Sequence, residues 1–131
     1  VAAHGRLRTD NPLFSSLELA DGQLTGYDFE RLQQGPAQVL LPSCSSGAGH
    51  AVIADETLGL AWTLMGLGTW AVAAPLLPVP DARTHDLMVK VHTALARGIP
   101  LAQALADAQA MADPADAVET SVAQAFVSYG A

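Results

Sequence analysis

The sequence predicts an α/β sandwich with a mostly parallel sheet, and three observations carry that expectation. Short apolar segments rich in Val, Leu and Ala alternate with helix-periodic segments along the whole chain. Several of these apolar segments lack the alternation of a half-exposed strand, as expected of strands covered on both faces. Half of the 131 residues are apolar, enough to fill a real core in one domain spanning residues 1–131.

Val1 to Ala3 reads as the tail of a strand ending at His4-Gly5. Turn signals follow at Asp10-Asn11-Pro12 and at Asp21-Gly22, and Thr25 is placed to cap a short helix reaching about Gln33. Gln38 to Leu41 is a buried strand. The cysteine loop after it, with His50 as a loop residue, leads to a helix from Glu56 to Leu67, whose start Asp55 and Glu56 suit electrostatically. A glycine turn at Gly66-Leu67-Gly68 then gives way to a strand from Thr69 to Leu76. Asp81 is a good N-cap for a helix carrying Leu87, Met88, Val91 and Leu95 on one face, and Gly98 ends it. Pro100 opens another helix with a Leu101, Leu105, Ala108 stripe, stopped at Asp113-Pro114. The segment "QAFVSYG" reads as a last strand. Trp62, Trp70, Phe29 and Phe126 are expected in the core.

Charge narrows the function classes. Thirteen acidic residues against six basic ones give a net charge of -7, and the six basic residues are scattered. That argues against nucleic acid and anionic membrane surfaces as partners. From Thr57 to Pro80 there is no charge, a length that could cross a bilayer. Gly66 and Gly68 interrupt it, Pro75, Pro78 and Pro80 crowd its end, and no basic cluster flanks it, so a buried helix and strand are preferred to a membrane hairpin. A single cysteine can form neither an internal disulfide nor a cysteine-rich zinc site, which fits a cytoplasmic chain. No basic-then-apolar leader opens the given sequence, whose first residue is valine.

Reactive residues stand at two strand ends. "VAAHG" ends in His4-Gly5 and "QVLLPSCSSG" reaches Cys44. Taken alone, Cys44 is better read as a small buried hydrophobe. A thiol beside an imidazole, with a small residue and backbone amides nearby, is instead the constellation for acyl transfer. Cys44 would attack, His4 would shuttle the proton, and amides near Gly5 and Cys44 would hold the oxyanion. His85 and His92 lie seven apart near Asp81, without zinc-type spacing, and read as solvated surface residues. Ser15, Ser16, Ser45 and Ser46 lack the glycine elbow of a serine hydrolase.

The blocks "VAAHGRLRTDNPLFSSLELADGQLTGYDFERL", "QVLLPSCSSG", "ADETLGLAWTLMGLGTWAVAAPLLPVPD" and "AFVSYGA" resemble the CHAT peptidases, bacterial relatives of separase and the caspases. The resemblance implies a caspase-like three-layer sandwich and a cysteine endopeptidase acting on a protein or peptide substrate. It maps the dyad onto His4 and Cys44, the oxyanion hole onto Gly5 and Cys44, and a loop beside the substrate pocket onto Pro78 to Asp81. No metal or organic cofactor is implied. Two departures stand out. Pro42-Ser43 precedes the cysteine where CHAT domains usually have Ser or Ala, and proline also occupies the positions where metacaspases (Pro42) and separases (Pro78) place a basic-residue-binding aspartate, so cleavage after Arg or Lys is not supported. The family also has strands and helices ahead of its His-Gly motif. The chain is therefore expected to be the C-terminal portion of the domain, with the N-terminal part and helical-repeat or sensor modules as partners. The alternative is a non-catalytic CHAT interaction module.

Overall fold

The computed structural model describes residues 4–6, 8, 11–31, 36–41 and 50–130. The first described strand, β1 (His4–Arg6), pairs antiparallel with β2 (Ser16–Leu19), which pairs antiparallel with β3 (Gly22–Thr25). The strand expected over Val1 to Ala3 lies outside the described residues. Among the described residues, His4 pairs opposite Glu18. The turn signal at Asp21-Gly22 works as expected, with Gly22 at a φ of 148 and Leu19 paired to it across the hairpin.

Thr25 then caps α1 (Gly26–Glu30). Its hydroxyl accepts the Asp28 amide at 3.3 Å, and the Asp28 carboxylate accepts the Thr25 amide at 2.8 Å, so two otherwise orphaned donors are satisfied reciprocally. The helix stops at Glu30 rather than about Gln33.

A second three-stranded sheet, ordered β4, β5, β6, organises the rest. Between β4 (Gln38–Leu40) and β5 (Ala71–Pro75) runs α2 (His50–Gly66), and the two strands are parallel, as a helical crossover requires. Then come α3 (Asp81–Ala96), α4 (Leu101–Ala110), α5 (Ala117–Ala125) and β6 (Phe126–Gly130), which pairs with β5 antiparallel. Among the described residues the sheet is thus mixed, with one parallel and one antiparallel pair. α5 passes directly into β6, with Ala125 followed by Phe126. Gln109 secures the junction, its side-chain amide donating to the carbonyls of Ala123 at 2.8 Å and Phe126 at 2.9 Å.

Strand parity divides the core into two layers. Leu40, Ala71, Ala73 and Phe126 face Leu87 and Val91 of α3, Leu101 and Leu105 of α4 and Val122 of α5. Val39, Leu41, Val72 and Ala74 face the other way, onto Leu60, Ala61 and Leu64 of α2 and Leu17 of β2. Helices therefore cover both faces of the sheet. Full burial of a side chain such as Val91 or Leu101 stabilises the fold by about 1.5 to 3 kcal/mol.

Three helix starts and the burial of two tryptophans differ from expectation. The helix expected from Glu56 begins at His50, which puts Asp55 and Glu56 inside α2 rather than at its N-terminus, and makes His50 helical rather than a loop residue. Nothing in His50-Ala51-Val52-Ile53-Ala54 breaks a helix, so these residues are helical. Asp81 is not the N-cap: Pro80 occupies that position with φ -68 and ψ 127, and Asp81 is the first helical residue. Pro100 likewise caps α4 from one position before the helix. Trp62 and Trp70 are not core residues but 65% and 66% exposed, whereas Phe126 is buried and Phe29 half-buried. α2 turns Leu60, Ala61 and Leu64 toward the sheet, which leaves Trp62 on the outward face.

Among the described residues, no helix is long and apolar enough to cross a membrane. The uncharged stretch instead includes β5, every residue of which is buried.

Candidate functional site

β1 positions the candidate base. His4 and Gly5 are held by the ladder to Glu18 and Leu17, which fixes their backbone on the hairpin sheet. Gly5 lies opposite Leu17, and Leu17 is 6% exposed within the cluster that contains Leu41, itself 6% exposed. Leu41 is tied to the central strand by its amide, which donates to the Ala73 carbonyl at 2.9 Å. Cys44 follows Leu41 by three residues and lies outside the described residues. One layer of packing therefore links the strand carrying His4 and Gly5 to the strand that leads into Cys44.

The segment after β1 is anchored by local polar contacts. The Arg8 amide donates to the Ser15 hydroxyl oxygen at 3.0 Å, and Ser15 is 2% exposed. The Ser15 carbonyl accepts the Gly26 amide at 3.0 Å. Between them, a 3-10 turn at Pro12–Phe14 is closed by Asn11, whose side-chain oxygen accepts the Leu13 amide at 3.1 Å. Gly26 is required where it stands: a Cβ there would lie 2.8 Å from the Leu13 backbone. The turn brings Phe14 edge-on to Tyr27, with ring centroids 5.2 Å apart, and the Arg8 guanidinium sits 5.9 Å from the Phe14 ring.

The two pocket candidates from the sequence fall together in the connection after β5. Pro78 is exposed, and Asp81 opens α3. His85 and His92 are exposed on α3, and the His85 Nδ1 sits 3.1 Å from an Asp86 carboxylate oxygen. Ser15, unsuited as a nucleophile, has a different part as the buried acceptor for the chain leaving β1. The spacing of small polar residues gave no hint of this, because a hydroxyl accepting a main-chain amide seven residues away has no sequence period.

On the opposite face of the sheet, a small crevice between α3, α4 and α5 is lined by Arg83, Asp86, Lys90 and Glu119. The Lys90 ammonium donates to Glu119 at 3.1 Å and to the Met111 carbonyl at 3.3 Å, and Arg83 pairs with Asp116 at 3.3 Å. The Lys90–Glu119 and Arg83–Asp116 pairs fasten α3 to α5 and its N-cap. Near β6, burial pushes the Tyr129 phenol above its ordinary pKa.

A sheet covered by helices on both faces defines an α/β domain. The CHAT domain family model matches residues 1–126, and the chain belongs to that family. No curated protein matches the chain.

Proposed function

We propose that the chain is the catalytic part of a caspase-like cysteine endopeptidase. The observation that supports this most strongly is the family match over residues 1–126, which includes both His4 and Cys44. On this reading the Cys44 thiolate attacks the scissile carbonyl carbon, a C–S bond forms, and the carbonyl electrons move to oxygen. The amides of Gly5 and Cys44 receive that oxyanion. Collapse breaks the C–N bond, and His4 delivers the thiol's former proton to the leaving amine. Water, deprotonated by His4, then cleaves the thioester to a carboxylic acid and restores the thiol. Pro78 and Asp81 border the substrate pocket. No metal or organic cofactor takes part.

The partners on this reading are a protein substrate, the preceding portion of the domain and helical-repeat or sensor modules. The site of action is a reducing cytoplasm that keeps the lone thiol free. The test is the rate of Cys44 alkylation by iodoacetamide from about pH 5 to pH 9, in the wild type and in His4→Ala. Reactivity well below the ordinary thiol pKa of about 8.5, lost in His4→Ala, is the expected result. Identical profiles refute the dyad.

A second reading, a CHAT module that binds partners without cleaving them, is favoured by the exposed Trp62, Trp70 and Leu77.

A further inference from the structure

We infer that Gln109 guards the outer edge of β6 and keeps it from pairing with the same strand of a second copy of this chain. β6 ends the order β4, β5, β6, and among the described residues no strand lies beyond it. Its five residues, Phe-Val-Ser-Tyr-Gly, pair with β5 in unbroken register and include no lysine, proline or bulge, the devices that usually blunt such an edge.

The ladder determines which groups face outward. The Leu76 amide donates to the Ala125 carbonyl at 2.9 Å, and bonded and non-bonded pairs alternate from there. Val127 and Tyr129 therefore turn their amides and carbonyls toward β5, whereas Phe126, Ser128 and Gly130 turn theirs away. The Phe126 amide is taken by the Ala123 carbonyl. The Phe126 carbonyl accepts the Gln109 side-chain amide at 2.9 Å, and the same nitrogen donates to the Ala123 carbonyl at 2.8 Å, which holds this side chain across the start of the edge. For a two-fold-related copy, the antiparallel register that uses most of the edge sets Ser128 opposite Ser128, with Phe126 opposite Gly130 on either side. Both outer pairs need a Phe126 carbonyl, and Gln109 occupies it in each copy. The Phe126 amides are withdrawn as well, so only the two central bonds remain. Two neutral hydrogen bonds fall far short of the cost of association.

The experiment combines sedimentation velocity over a concentration series with residue-resolved amide exchange, on the wild type, Gln109→Ala, Gln109→Ala with Ser128→Pro, and Asp116→Ala. Ser128→Pro removes the outward amide on which the central pair depends, and Asp116→Ala removes the cap of α5 as a control for lost stability. In the wild type the Ser128 and Gly130 amides are expected to exchange freely. Gln109→Ala frees two carbonyl acceptors in each pair of copies, so its association constant is expected to rise about 5- to 100-fold, with concentration-dependent protection of both amides. Adding Ser128→Pro returns the constant to the wild-type value, and Asp116→Ala leaves it there. An association constant unchanged in Gln109→Ala overturns the guard. A protected Ser128 amide in the wild type does the same, because the edge is then already paired. Association of Gln109→Ala that survives Ser128→Pro, or that Asp116→Ala reproduces, traces to exposed core and overturns the assignment too.

Discussion

Leu17 of β2 and Leu41, the residue after β4, are buried in one cluster although they belong to different sheets. Because Gly5 lies opposite Leu17 in the β1 to β2 ladder, this shared cluster packs the hairpin sheet, which carries the His4 backbone, against the main sheet. Leu17→Ala is expected to cost about 2 to 5 kcal/mol, from lost burial and the cavity left behind. Urea denaturation gives the stability change. On the dyad reading, Cys44 alkylation near neutral pH slows in the same variant, and a wild-type rate would separate the hairpin from the site.

The last strand ends at a position only glycine fits. Gly130 has a φ of 86, and a Cβ there would run into the Trp70 carbonyl oxygen. Gly98 has a similar φ of 82 but open space around it. Gly130→Ala is therefore expected to cost about 2 to 5 kcal/mol, combining backbone strain with overpacking, and Gly98→Ala about 1 kcal/mol from strain alone. Urea midpoints of the two variants, measured side by side, test the distinction. Equal losses would mean that the approach of β6 to Trp70 is loose.

The acid limb of stability carries a definite sign. The Glu119 amide holds the Asp116 carboxyl below its ordinary 3.8, opposed in part by burial and helped by the Val118 amide and Arg83. A carboxyl whose pKa is depressed on folding contributes fully above about pH 4 and loses that contribution as pH falls through the lower native value. Asp116→Asn keeps a cap acceptor but no charge. Its thermal midpoint should lie below the wild type at pH 7, and the gap should close below pH 4. A gap that stays constant with pH would remove the charge from the explanation.

The sequence shows helices and strands best where a strong local signal coincides with burial. Thr25 with Asp28 marked α1, Gly98 and Pro100 marked the break between α3 and α4, and the Leu101, Leu105, Ala108 stripe is buried as its spacing requires. α5 was the element missed. Val118, Thr120 and Val122 dilute its helix propensity, and "QAFVSYG" drew attention to the strand that follows. Its start was legible all the same, since Asp116 accepts the Val118 and Glu119 amides and Glu119 stands three residues after it, as in a capping pair. The direction of β6 was not legible, because its pairing with β5 is a long-range contact across three intervening helices with no local pattern. For the site, "VAAHG" put His4 at the end of a strand over Val1 to Ala3, which lies outside the described residues, and His4 itself stands in β1; the bond from the Arg8 amide to the Ser15 hydroxyl is a tertiary contact without a pattern.

Trp62 and Trp70 offer a way to separate the two functional readings. Both are about two-thirds exposed, at 65% and 66%, so in the isolated chain both indoles should be readily quenched by acrylamide. Trp62→Ala and Trp70→Ala should each stay within about 0.5 kcal/mol of wild-type stability, because an exposed side chain away from caps and core contributes little. Large aromatic side chains are the usual anchors of protein interfaces. If the chain is mainly a binding module, a bound partner should shield one or both indoles from acrylamide, and the alanine variants should bind it more weakly while the Cys44 alkylation profile stays unchanged. If it is a peptidase, loss of the indoles should leave both the alkylation profile and cleavage of a short peptide intact, and Cys44→Ala should abolish cleavage while both indoles remain exposed. Indoles protected from acrylamide in the monomeric chain would contradict the exposure on which this comparison depends.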